Sequence, residues 1–142
     1  MKKSILIGLF SVILIACDDN TQKNNEQVTK TEAKEQVVDT STLNVYYFHG
    51  KQRCKTCIAV GDITEKTIKE RYTDIPQVKF IEVKTDEEQN ASLVEKYEVT
   101  WNALIIAKEN DHIDITQEAF ANALNSPEKL TDLIKTEVDK RL

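Results

Sequence analysis

The sequence predicts an α/β domain over residues 42–142, and three observations carry that prediction. Apolar runs of strand length alternate with stretches of helical period, proline and short polar clusters separate them, and roughly one hundred residues suffice for one hydrophobic core but not two. Leu43-Asn44-Val45-Tyr46-Tyr47-Phe48 reads as a buried strand. From Cys54 to Tyr72, residues Ile58, Val60, Ile63, Thr67, Ile68 and Tyr72 form a rough helical stripe with acids and lysines between them. Pro76 breaks the chain before Val78-Lys79-Phe80-Ile81-Glu82-Val83, which alternates as a strand does. Asn90 stands where it can cap a short helix through Leu93, Val94 and Tyr97. Ala103-Leu104-Ile105-Ile106-Ala107 and Ile113-Asp114-Ile115 flank Glu109-Asn110-Asp111 and read as a hairpin, although its turn lacks glycine. Ser126-Pro127 opens a final helix carrying Leu130, Leu133, Ile134, Val138 and Leu142, with the serine as N-cap and the proline in the first turn. Tyr46, Tyr47, Phe48 and Phe80 are assigned to the core, and no internal repeat is visible.

Ahead of this domain the chain opens Met1-Lys2-Lys3 and runs apolar from Ile5 to Ala16, the charged, hydrophobic and small-residue zones of an export signal. The apolar stretch is short for a membrane span. Leu14-Ile15-Ala16-Cys17 resembles a bacterial lipobox, in which the cysteine is acylated and the chain is cut before it. That resemblance makes residues 1–16 a lipoprotein signal peptide and Cys17 the lipidation site, with palmitate among the acyl groups expected. Residues 18–41 are polar, lack aromatics and show only a weak period near Val28 to Val37, so 17–41 reads as a flexible tether. Lipidation would place the domain in the bacterial cell envelope, anchored on the outer side of a membrane.

Cleavage would remove Lys2 and Lys3, leaving 17 basic residues against 24 acidic ones, a net charge of −7. That balance argues against a nucleic-acid partner. No Ser/His/Asp arrangement, phosphate-binding glycine loop or paired-carboxylate signature stands out. The chemistry sits elsewhere, at Cys54-Lys55-Thr56-Cys57, on the predicted opening turn of the first helix. Two thiols at this spacing can touch, so the pair can cycle between dithiol and disulfide. With Cys17 acylated, Cys54 and Cys57 are the free pair, and outside the cytoplasm they oxidise unless a partner reduces them. A structural disulfide on a surface turn is the plainer alternative, but a bridge closing so small a loop removes little chain entropy.

From Leu43 to the end the chain resembles the thioredoxin-like family. The residues that carry the resemblance are Val45-Tyr46-Tyr47-Phe48 leading into Cys54-Lys55-Thr56-Cys57, then Val78-Lys79-Phe80-Ile81-Glu82-Val83-Lys84-Thr85-Asp86, and Leu93-Val94-Glu95-Lys96-Tyr97-Glu98-Val99 running into Leu104-Ile105-Ile106. The resemblance implies a three-layer α/β/α sandwich with a mixed central sheet, and a thiol-disulfide oxidoreductase activity in which Cys54 attacks and Cys57 resolves the mixed disulfide. It implies no bound cofactor, a protein disulfide or dithiol as partner, and a monomer. Two positions depart from the family's pattern. Ala103, after Trp101-Asn102, stands where the family places a cis-proline facing the thiols, and a non-proline peptide strongly prefers trans. The family's buried acid has no counterpart among Val45, Tyr46, Tyr47 and Phe48, so a proton from Cys57 must pass to water or another group. Tyr46-Tyr47-Phe48-His49-Gly50 and Arg53-Cys54-Lys55-Thr56-Cys57 also resemble small lipoproteins labelled as nitroreductase subunits of arsenic-resistance-type loci, which implies an accessory redox subunit of a reductase.

Five residues are candidate modulators of the pair. Arg53 and Lys55 flank Cys54, and with the helix N-terminus they favour its thiolate, predicting a thiol pKa below that of free cysteine and a shift toward oxidising character. His49, at the strand's end, could join Cys54 and Cys57 in a copper or zinc site, the reading of a metallochaperone. Ala103 in place of proline would remove a steric guard against such a metal, and Trp101 is a candidate partner contact. His112, in the predicted hairpin turn, is expected to face solvent.

Overall fold

The computed structural model describes Thr42–Leu142; the predicted signal, tether and Cys17 lie outside the described residues. Strand β1 (Leu43–His49) lies inside a four-stranded sheet of order β2-β1-β3-β4, parallel to β2 (Val78–Lys84) and antiparallel to β3 (Ala103–Lys108), which pairs antiparallel with β4 (Asp111–Asp114). The sheet is therefore mixed, as expected. Covered on both faces, β1 buries nearly every residue, which is why its sequence runs continuously apolar instead of alternating. The edge strand β2 buries only Val78 and Val83 and exposes Lys79, Glu82 and Lys84.

Helices fill the two outer layers. Leu43, Val45 and Tyr47 pack with Leu104 and Ile106 against Val60 and Ile68 of α1 (Lys55–Arg71), Ala119 of α3 (Thr116–Asn122) and Leu130, Ile134 and Val138 of α4 (Pro127–Asp139). On the other face Tyr46, Phe48, Val83 and Ile105 pack against Leu93 and Val94 of α2 (Ala91–Lys96) and against Tyr97. The period of two along each strand thus feeds two separate apolar clusters. Tyr72, which ends α1, donates its hydroxyl to Asp139 Oδ1 at 2.7 Å and so ties α1 to α4; burial, then Asp139, pushes this phenol above its usual 10.0. Among the described residues no helix is long and apolar enough to cross a membrane.

Several local details differ from expectation. Helix α3 was not expected, because its stripe of Ala119, Phe120 and Ala123 is too small and short to stand out as a period; Asp114 Oδ1 starts it by accepting the Thr116 N–H at 2.8 Å. The hairpin turn is tighter than expected: β4 begins at Asp111, and Ile115 leaves the strand to precede α3. Lacking glycine, the turn places Glu109 in the left-handed region at φ 55°. Asn90 holds the N-cap position of α2, as expected, but its side chain makes no capping bond; its amide donates to Lys84 O at 2.9 Å, after a 3-10 turn at Glu88–Asn90. Ser126 and Pro127 begin α4 as expected, though without a side-chain cap, and Leu142 lies beyond the helix. Phe80 is half-buried against the core, not within it.

Two stability tests arise here. Helix α2 ends with Glu98 N–H bonded to Glu95 O and Val99 N–H to Val94 O, a closure that sets Glu98 at φ 51°. An L-residue there costs about 1–2 kcal/mol and glycine about 0.5–1 kcal/mol of lost freedom, so Glu98→Gly is expected to stabilise by about 0.5–1 kcal/mol in urea unfolding. A lower midpoint for the variant would contradict this.

The second concerns Glu137, buried on α4, which accepts from Lys140 Nζ at 2.6 Å and Arg141 Nη1 at 2.8 Å. The Lys140 bond first, then that of Arg141, holds its carboxyl below the usual 4.5 against the opposing effect of burial. A folded-state value below the unfolded one means the contribution is complete above 4.5 and disappears as pH falls through the lowered value. Glu137→Gln should therefore be less stable than the parent near neutrality, with the gap closing in acid. A gap that stays constant into acid would exclude the linkage.

Candidate functional site

Cys54 caps the start of α1: its backbone is extended at φ −78° and ψ 166°, and its sulfur accepts the Cys57 N–H at 3.1 Å. Cys54 and Cys57 are joined as a disulfide with Cα atoms 5.0 Å apart. Their exposures differ sharply. Cys54 is exposed, while Cys57 keeps only 4% of its surface. The first turn of α1 carries no acidic residue, so its free N–H groups and Lys55 present uncompensated positive charge to the Cys54 sulfur.

Below the pair lies a polar cluster held by β1 and β2. Tyr47, fully buried, donates its hydroxyl to Cys57 O at 2.6 Å. Burial raises this phenol above its usual 10.0, partly offset by Arg53, so it remains a donor at neutral pH. The guanidinium of Arg53 lies 5.5 Å from the Tyr47 ring centroid, and its Nη1 bonds Glu82 Oε1 at 2.9 Å. Parallel pairing sets Tyr47 beside Glu82 and so brings this carboxylate to the face that carries α1. Gly61 makes the arrangement possible: a Cβ there would stand 2.7 Å from Arg53 Nη2 and 3.0 Å from the Tyr47 ring. His49, 4% exposed, bonds through Nδ1 to Gly50 O at 2.9 Å. Its Nε2 stands 3.1 Å from Glu82 Oε1, close enough for an ion pair but without hydrogen-bond alignment.

On the opposite side, Asn102 Nδ2 approaches the Cys57 sulfur at 3.9 Å, a distance typical of a weak bond to sulfur. Ala103 is buried at the start of β3, paired with Phe48, and Trp101 projects with 79% of its surface exposed. Ile58, directly after Cys57, is also exposed.

No family model matches the chain, and no curated protein matches it. Among solved structures, one described as the structure of a malarial protein is 23% identical, covering 62% of this chain and 94% of its own, with a TM-score of 0.44. The zinc-bound form of human ERp44 is 16% identical with a TM-score of 0.50, covering 68% of this chain and 27% of that protein. The fold is thioredoxin-like. On this thioredoxin-like fold the cysteine pair occupies the N-terminal turn of α1, as the sequence led us to expect.

The sequence-predicted residues therefore separate into groups. Cys54, Cys57 and Lys55 sit together at the helix start, and Trp101 and Ala103 belong to the facing loop and strand. Arg53 turns its charge to Glu82 and Tyr47, and His49 turns to Gly50 and Glu82. Among the described residues no group of three His, Cys, Asp or Glu converges to hold a metal ion. His112 is exposed on β4, its ring 5.3 Å from that of Tyr97. Glu82 and Asn102 escaped sequence reasoning as site residues. Glu82 occupies an ordinary polar position of an alternating strand, and only the pairing register brings it to the site.

Proposed function

We propose that this chain is a membrane-tethered thiol-disulfide exchange protein working outside the cytoplasm through Cys54 and Cys57. The observation that carries the reading is the asymmetry of the pair: an exposed cysteine at a helix N-cap joined to one that is almost fully covered. In the reduced protein the Cys54 thiolate attacks a partner disulfide, forming a mixed disulfide and releasing one partner thiolate, which takes up a proton. Cys57 then loses its proton and attacks the Cys54 sulfur, closing the intramolecular bond and releasing the second partner thiol. The partner gains two electrons and two protons, and a second dithiol protein restores the reduced pair by the reverse sequence. In this reading residues 1–16 are the signal, Cys17 carries the lipid and residues 17–41 hold the domain away from the membrane.

Two measurements test it. Equilibration of the full domain with glutathione buffers, read by thiol alkylation, should give a single reversible two-electron transition at Cys54 and Cys57. A disulfide that no dithiol reduces without unfolding would sink the exchange role. In cells, Cys17→Ala should abolish incorporation of labelled palmitate and release the protein from the membrane fraction; unchanged partitioning would remove the anchor from the proposal.

A further inference from the structure

We infer that Glu82 is a positioning residue that sets the redox poise of the cysteine pair by neutralising and holding Arg53; this rests on the exchange reading above. Arg53 immediately precedes the nucleophilic Cys54 and carries a guanidinium cation. Its position in the structure is over-determined: Glu82 Oε1 takes Nη1 at 2.9 Å, the Tyr47 ring lies beneath it, and the missing side chain of Gly61 leaves the space its Nη2 fills. The buried His49 ring stands beside the pair, its Nε2 3.1 Å from the same Glu82 oxygen. An arginine whose only task were solubility would not need a glycine cut into the middle of a helix, where it costs about 1 kcal/mol relative to alanine.

The consequence follows from charge. An opposite charge near a thiolate stabilises it, which stabilises the reduced pair and makes the disulfide more oxidising. Glu82 offsets the Arg53 charge and keeps the guanidinium against Tyr47. The pair is thus held less oxidising than its sequence, with Arg53 and Lys55 on either side of Cys54, suggests. Losing the carboxylate unmasks the cation, whereas losing the guanidinium leaves an unpaired anion, so the two changes act in opposite directions.

The test uses the wild type, Glu82→Gln, Arg53→Met and the double variant, measuring the glutathione equilibrium constant and the Cys54 thiolate titration by ultraviolet absorbance. Glu82→Gln should lower the thiol pKa and move the equilibrium toward the dithiol by about threefold to tenfold. Arg53→Met should move both in the opposite sense, and in that background Glu82→Gln should shift them by clearly less than in the wild type, because the cation it holds is gone. General damage to packing would push both single variants the same way, and that result overturns the inference. So does a Glu82→Gln shift that persists in full in the Arg53→Met background. Failure of the wild type to cycle at all would instead strike the exchange reading, which separates the two outcomes.

Discussion

Cys57→Ser is expected to accumulate a stable mixed disulfide between Cys54 and its partner, visible as a higher-mass band on non-reducing gels that dithiothreitol removes. Cys54→Ser should give none. The expectation rests on the two environments: Cys54 is exposed at the start of α1, and Cys57 has only 4% of its surface left. Exchange needs an attacking thiolate with an open line to a partner sulfur, which only Cys54 has. With Cys57 replaced, the second attack has no nucleophile and the intermediate persists. Equal trapping by both variants would mean that the pair is not ordered as attacker and resolver, and the mechanism proposed here would fall.

The second large effect is at Tyr47. Its ring is fully buried among the residues beneath α1, supports Arg53, and its hydroxyl meets Cys57 O at 2.6 Å. Tyr47→Ala removes all three contributions and should cost about 3–5 kcal/mol, the usual range for deleting a buried aromatic ring. Tyr47→Phe keeps the ring and removes only the hydrogen bond, for about 1 kcal/mol. Both values can be read from urea unfolding of the oxidised protein. Comparable losses in the two variants would show that the hydroxyl, and not the packing, dominates; a Tyr47→Ala loss below that of an average core truncation would mean the site refills.

Much of this arrangement was legible in the chain. The continuous apolar run of β1, the N-cap and proline before α4 and the cysteines at the opening of α1 are local signals, and each element formed where its local chemistry placed it. What escaped depends on distant partners. Helix α3 is stabilised by Asp114 at its start and by Leu104 N–H donating to Thr116 Oγ1 at 2.9 Å, a tie to β3 that no window of α3 itself contains. Arg53 read as a charge beside Cys54 because sequence adjacency suggested it, yet strand pairing 29 residues away supplies the carboxylate that engages it. The absence of a buried acid on β1 was readable; that a tyrosine hydroxyl there would hold the Cys57 carbonyl was not, since tyrosine in an apolar run looks like core and here is both.

One further consequence comes from the sulfur of Cys54 serving as the first acceptor of α1. A thiolate is a stronger acceptor than a disulfide sulfur, so under the proposed exchange the first turn of the helix should be held more firmly in the reduced protein than in the oxidised one. Deuterium uptake at the Cys57 amide should then rise and fall with the chemical state of its neighbour, giving a backbone signal of turnover that needs no reporter dye.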